Sequence, residues 1–241
     1  MKLIKADMHI HTCLSPCAEV TSSPKRIVEK ANKCGLTMIF ITDHNSAENA
    51  EAAIRAAANY KDFMVYPGME ITSKEEVHTL ALFENIEDAM KVQEVIHKYL
   101  PDAISERESK EQVIANEYDE VDGYSNKSLF SAVNMNVGDI INTVHENKGL
   151  AVAAHIDRES FSVISQLGFI PEDLEYDALE ISPHMSFGQA KVFFKEYAGK
   201  YNFVKGSDSH SLDWMGDVFT QFYAENNSFF EFKSYISKIT C

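Results

Sequence analysis

Short apolar runs alternate with amphipathic stretches along most of the chain. Leu3 to Ile10 reads as a first strand. Ile27, Val28, Ala31 and Cys34 then recur at helical spacing, with Ser23 placed to cap, Pro24 suited to the first turn and Gly35 to the stop. Thr37 to Thr42 is a continuous apolar run, as in a parallel strand covered on both faces. It leads to an Ala-rich helix, Ala47 to Tyr60, that Asn45 or Ser46 can cap. Phe63 to Thr72 is a third strand. The next apolar run, Val77 to Phe83, follows after too few residues for a parallel crossover, which needs a dozen or more. The two should therefore form a hairpin that returns His78 to Glu70.

Helical patterns follow at Ile86 to Tyr99, Val137 to Asn147 and Phe187 to Tyr197, with a helical tail at Phe229 to Ile239. Strands are expected at Leu150 to His155, Asp177 to Ser182 and Tyr201 to Gly206. Seven core strands mostly separated by helices favour a closed or nearly closed α/β barrel over an open sheet. The segment from about 101 to 136 breaks this rhythm: it is highly charged through Ser105 to Glu111 and turns at Asp122-Gly123. It reads as an inserted helix plus a short arm, open to roles as a lid, a subunit contact or a solvated excursion.

Composition narrows the field of partners. The 22 Lys and Arg against 37 Asp and Glu give a formal charge of −15, which opposes long nucleic acid and anionic membranes. Cys13, Cys17, Cys34 and Cys241 form no repeated framework, and no run approaches the ~20 apolar residues of a membrane helix. With no apolar signal region ahead of the first strand, a reducing, cytoplasmic setting is expected. The sequence leaves the oligomeric state open.

The strand ends carry the chemistry. Asp7, His9 and His11 sit two apart, so an extended segment presents all three on one face. Neutral imidazole is a common ligand for zinc, manganese and iron, and a nearby carboxylate can ligate or orient a ring. His44, Glu70, His155, Asp208 and His210 lie at or just beyond other strand ends, and the hairpin adds His78. In an α/β barrel these ends share one mouth. With Cys17 there are nine candidate ligands, whereas one transition metal takes about four to six. Two or three divalent ions are implied. His97 and His145 fall within helices and read as structural or surface residues.

The ordered set Asp7-x-His9-x-His11-Thr12, Thr42-Asp43-His44, Pro67-Gly68-Met69-Glu70, Ala154-His155 and Ser207-Asp208-Ser209-His210 resembles the motifs of the PHP (polymerase and histidinol phosphatase) family of metal-dependent phosphoesterases. The resemblance implies a distorted (β/α)7 TIM-like barrel over residues 1–241 with an insertion between strands 4 and 5. It further implies that His9, His11, Glu70 and Asp208 hold one metal and that Glu70 bridges to a second held by His78 and His155. His44 and His210 would hold a third with a residue of the first loop. Where the family often has His or Asp in that loop, this chain offers Cys17 or Glu19, and a thiolate would favour zinc or iron. Asp43 is as well suited to capping as to orienting a ligand, and Asp7 is assigned beside the ligands rather than among them.

The function expected is hydrolysis of a small phosphate monoester by a metal-bridging hydroxide, with catalysis through the metals held by His9, His11, Glu70 and Asp208. Arg158 could grip the phosphate, unless it pairs with Asp157 or another acid, and His184 could bind substrate or protonate the leaving oxygen. The alternatives are a phosphodiesterase or exonuclease on nucleotides or short oligonucleotides, a C–N hydrolase, and a non-catalytic metal-binding regulatory domain.

Overall fold

The computed structural model describes residues 1–237, so the end of the expected helical tail and Cys241 lie outside the described residues. The chain runs β1 (Lys2–Asp7), α1 (Pro24–Lys33), β2 (Met38–Ile41), α2 (Ala50–Ala57), β3 (Met64–Thr72), β4 (His78–Leu82) and α3 (Ile86–His97). The inserted segment contributes α4 (Glu106–Lys110), β5 (Val113–Ala115) and β6 (Val121–Tyr124). Then come α5 (Val137–Glu146), β7 (Leu150–Ala153), α6 (Val163–Leu167), β8 (Ala178–Glu180), α7 (Phe187–Phe193), β9 (Phe203–Val204), β10 (Thr220–Ala224) and α8 (Phe229–Ile236).

The main sheet has eight strands in the order β10-β1-β2-β3-β4-β7-β8-β9. It curls into a nearly closed barrel: a parallel bridge joins Ile10 to Ser209, just beyond β1 and β9, where the His11 amide donates to the Ser209 carbonyl at 2.9 Å. The β3–β4 pair is the antiparallel hairpin the sequence implied, with Thr72 opposite His78. β4 is also antiparallel to β7, so β4 is reversed among the otherwise parallel strands β1, β2, β3, β7, β8 and β9. β10 was not expected; it lies antiparallel on β1 from Lys2–Ala224 to Ala6–Thr220.

Two apolar layers hold the strands. The inner one joins alternate strand residues such as Phe40, Leu80, Val152 and Val204 to Phe229, Phe232 and Ile236 of α8, so that helix packs on the barrel interior. The outer layer packs Ile39, Met69, Ala81 and Leu179 under the surrounding helices. Ser23 caps α1 as expected, accepting from the Arg26 amide, and Pro24 occupies its first turn. Neither Asn45 nor Ser46 caps α2: the preceding residue is Asn49, whose side chain instead bonds the insertion. Asn45 adopts φ 49° and donates to the carbonyls of Leu129 at 2.7 Å and Ser131 at 3.0 Å.

These links define how the insertion sits. The Val113 amide donates to the Cys13 carbonyl at 3.0 Å, Asn49 donates to the Val113 carbonyl at 3.0 Å, and Asn49 Oδ1 accepts from the Ala115 amide at 3.0 Å. Cys13, Val113 and Ala115 are buried together. The inserted arm is thereby fastened to the first loop of the barrel. Among the described residues, no helix is long and apolar enough to cross a membrane.

Candidate metal centre

Glu70 is buried at the barrel mouth, and its two carboxylate oxygens divide the surrounding histidines. Oε1 lies 2.7 Å from His78 Nδ1, 3.1 Å from His155 Nε2 and 3.4 Å from His9 Nε2. Oε2 lies 3.1 Å from His44 Nδ1 and 3.4 Å from His11 Nε2. Asp208 supplies the second acid. Its Oδ1 is 3.3 Å from both His9 Nε2 and His11 Nε2, while Oδ2 pairs with Arg158 Nη2.

The outer nitrogens of several rings are committed, which fixes where the lone pairs point. His9 Nδ1 donates to Glu180 at 3.0 Å. Ser15 Oγ donates to Asp43 at 2.6 Å and so can accept the Nδ1 hydrogen of His11 at 3.1 Å. His210 Nδ1 donates to the Asp208 carbonyl at 2.9 Å. In each case Nε2 is left as the acceptor, the tautomer a metal requires.

Backbone geometry serves the same placement. His155 and Asp208 adopt φ of 30° and 49°, in the sparsely populated left-handed region that concentrates at functional sites. Gly206 lets β9 pass close to His9: a Cβ there would stand 2.6 Å from His9 Cβ and 2.8 Å from Glu180 Oε1. Asp7 turns to the backbone, accepting from the amides of Ser207 at 2.9 Å and His9 at 3.3 Å.

Electrostatics set the protonation states against one another. Burial drives the His11 pKa down to about 4 and lowers that of His44 well below its ordinary value. Burial also disfavours charge on His9, but Glu180, Asp208 and Glu70 outweigh it and raise its pKa. For Glu70, burial opposes ionisation, yet His78, His9 and His44 hold its carboxyl well below the usual range. Burial pushes Asp7 up to about 7 and Asp43 to about 6, the latter against hydrogen bonds from Ser15 and Thr12.

The residues present fit divalent metal ions. His9 Nε2, His11 Nε2 and His44 Nδ1 are buried without a hydrogen-bond partner, although carboxylate oxygens stand close by. A buried polar atom left unpaired in this way is costly unless something else satisfies it. Three groups have ligand atoms close enough to share an ion: His9, His11 and Asp208; His44, Glu70 and His78; and His11, His44 and His210. Their nitrogen and oxygen donors suit zinc, manganese or iron.

The structure brings eight of the nine candidate ligands to one mouth. The ninth, Cys17, is exposed on the first loop and belongs to none of the three groups, although its thiol is near enough to the mouth that burial, helped by Glu70, Asp43 and Asp208, pushes its pKa up to about 12. Glu19 is also exposed, with its amide donating to the His210 carbonyl at 2.8 Å. Asp43 binds the first loop through Thr12 and Ser15. Asp157 accepts from the amide and hydroxyl of Ser182, leaving Arg158 to Asp208. His97 bonds the carbonyl of Asn45, the residue after His44, and His145 pairs with Asp177; neither belongs to the three groups. Sequence reasoning missed Glu180, which orients His9 and accepts from the His155 amide at 3.0 Å. Its signal was a lone acid in the apolar run from Ala178 to Ile181.

A nearly closed barrel whose mouth gathers buried imidazoles around two acids defines a barrel protein with a candidate divalent-metal centre. The chain belongs to the PHP domain family, whose profile matches residues 7–170. No curated protein matches the sequence. Among solved structures, it is similar to the lesion-specific endonuclease PfuEndoQ from Pyrococcus furiosus, with a TM-score of 0.76, 17% identity and 98% of this chain covered. The match takes in 56% of the endonuclease, so this chain spans just over half of its length. A presumptive metal-dependent phosphoesterase from Bifidobacterium adolescentis aligns with a TM-score of 0.62 and 19% identity, over 95% of this chain and 94% of the other. An amidohydrolase from Chromobacterium violaceum, solved with bound sulfate and no metal, gives 0.62 and 16% over 95% and 96%. At these identities the likeness concerns the fold.

Proposed function

We propose that the chain is a single PHP-type barrel domain that hydrolyses a small phosphate monoester at this mouth. The observation that carries the reading is the divided carboxylate of Glu70, which faces His9, His78 and His155 through one oxygen and His11 and His44 through the other. Such a bridge suits two or three ions. His9, His11, Glu70 and Asp208 would hold one, His78 and His155 with Glu70 a second, and His44 and His210 a third with a residue of the first loop. Bound there, divalent ions would supply Lewis acidity and activate water for attack on phosphorus.

The remaining work falls to side chains beside Asp208. Arg158 spends one nitrogen on Asp208 Oδ2 and keeps further N–H donors for phosphate oxygens. His184, exposed on the same pocket, is placed to bind substrate or protonate the leaving oxygen. The formal charge of −15 favours a small substrate over a long polyanion. The likeness in fold to a lesion-specific endonuclease supports the second reading, cleavage of a phosphodiester.

The deciding experiment is phosphate release from metal-reconstituted protein on a panel of monoesters with matched diesters, with His9→Ala as control. Turnover of monoesters that is lost in the variant establishes the reading. Turnover of diesters alone replaces it with the second, and silence toward both at full metal occupancy removes both.

A further inference from the structure

Beside the metal centre lies a cavity of about 350 Å³ that shares Asp208 with it and opens toward Trp214. Pro183, Val218 and the indole of Trp214 give it apolar walls, while Arg158, His184 and Asp217 supply polar groups. The volume lies at the small end of the range for ligand pockets.

Trp214 is unusual in being presented rather than packed. It ends a short helical turn, Leu212–Trp214, and is 60% exposed, with its ring centroid 6.3 Å from that of the candidate ligand His210. Its backbone is anchored: Met215 next to it is buried, and Cys34 Sγ contacts the Met215 carbonyl at 3.7 Å. Gly216, at φ 101°, packs so tightly that an added Cβ would stand 2.6 Å from Cys34 Sγ. The Pro183 side of the cavity is also anchored, because Lys205 Nζ donates to the carbonyls of Pro183 at 3.1 Å and Met185 at 2.8 Å. An exposed aromatic side chain on an anchored backbone, lining the same cavity as an Arg–Asp pair, can stack on a flat group.

We infer that this cavity is the leaving-group subsite and takes a planar aromatic ring stacked on Trp214. The orientation rests on the phosphomonoesterase reading, which sets the phosphate at Arg158 and the metal centre; the ring then extends away from them to the indole. Asp217 on the rim offers an acceptor to a ring carrying an N–H donor. Aliphatic phosphates of similar charge gain nothing comparable from the indole face.

Trp214 is the sole tryptophan of the chain, so intrinsic fluorescence reports on the cavity without turnover. Metal-loaded protein is titrated with phenyl phosphate, adenosine monophosphate, glycerol phosphate and a short single-stranded oligonucleotide. The two small aromatic phosphates should change the emission and glycerol phosphate should not. In steady-state assays, Trp214→Ala should cut the ratio of kcat/KM for phenyl phosphate over glycerol phosphate by about 10- to 100-fold, and Trp214→Phe should retain most of it. An equal response to glycerol phosphate, or a ratio that Trp214→Ala leaves unmoved, overturns the subsite. A response to the oligonucleotide alone overturns the small-ligand assignment. Emission changes with the aromatic phosphates but no phosphate release from any ester sink the proposed reaction and the leaving-group role with it, while the stacking of aromatic rings on Trp214 stands.

Discussion

Glu180 fastens His9: one carboxylate oxygen takes the His9 Nδ1 hydrogen at 3.0 Å and also the His155 amide at 3.0 Å. One buried acid thus orients two candidate ligands that arrive on different strands. Glu180→Gln preserves the shape but weakens this acceptor, and outer partners of metal-bound His typically matter 10- to 100-fold in affinity. A loss of about that size is expected in competition with a chromophoric chelator, with the far-UV spectrum unchanged. Undiminished affinity would show that the orientation is set elsewhere.

Gly206 is a second point of leverage on the same histidine. A methyl group there meets His9 and Glu180 well inside contact distance, and overpacking of a tight core costs about 1 to 3 kcal/mol. Gly206→Ala should melt earlier and carry less metal, measured by calorimetry and elemental analysis on the same sample. A variant with normal metal content would mean that the backbone around β9 yields without moving His9.

Arg158 touches the carboxylate oxygen of Asp208 that the histidines leave free. Arg158→Ala should therefore retain its metal while kcat/KM for monoesters falls by about 10-fold or more, through loss of a charge-assisted fork. Arg158→Lys should recover only part, since a point charge lacks the planar pair of donors. Full turnover in Arg158→Ala removes the residue from phosphate binding.

Far from the site, His145 Nε2 lies 2.9 Å from Asp177 Oδ2, and this hydrogen bond raises the His145 pKa. A raised folded-state value contributes stability that is fully present below the unfolded value of about 6.5 and is lost as pH rises through the folded one. His145→Gln should thus be less stable than the parent near pH ~5.5, with the gap closing above pH ~8. Partial exposure keeps the gap under about 1 kcal/mol. Urea melts across that range check it, and a gap that widens with pH contradicts it. Asp177 is the poorer choice for this test because it also accepts from the Ala151 amide.

What the sequence made legible and what it hid follow from locality. His78 was placed correctly because a short connection forces a hairpin, and a hairpin brings the start of one strand beside the end of the other. The ordered histidines and acids were visible because barrel strand ends converge whatever the intervening loops do. Glu180 escaped because its partners, His9 and the amide of His155, lie 171 and 25 residues away, and a lone acid in an apolar run shows that it needs a partner without showing which. β10 escaped for a similar reason: Thr220-Gln-Phe-Tyr-Ala alternates over only five residues, and its pairing partner is the opening strand. Asn45 looked like a cap by residue type, but its side chain is drawn to carbonyls of the insertion, a tertiary demand that overrides local preference.

The seam between the inserted arm and the first loop bears on how this scaffold can be re-engineered. Val113 gives its amide to Cys13 and its carbonyl to Asn49. Trimming residues 101–136 to a short turn would strip backbone partners from the strap leading from His11 to α1. A minimal version of the barrel would then have to rebuild that strap, and a graft in place of the arm would have to keep the backbone edge at Val113 and Ala115 and the Leu129 and Ser131 carbonyls that hold Asn45.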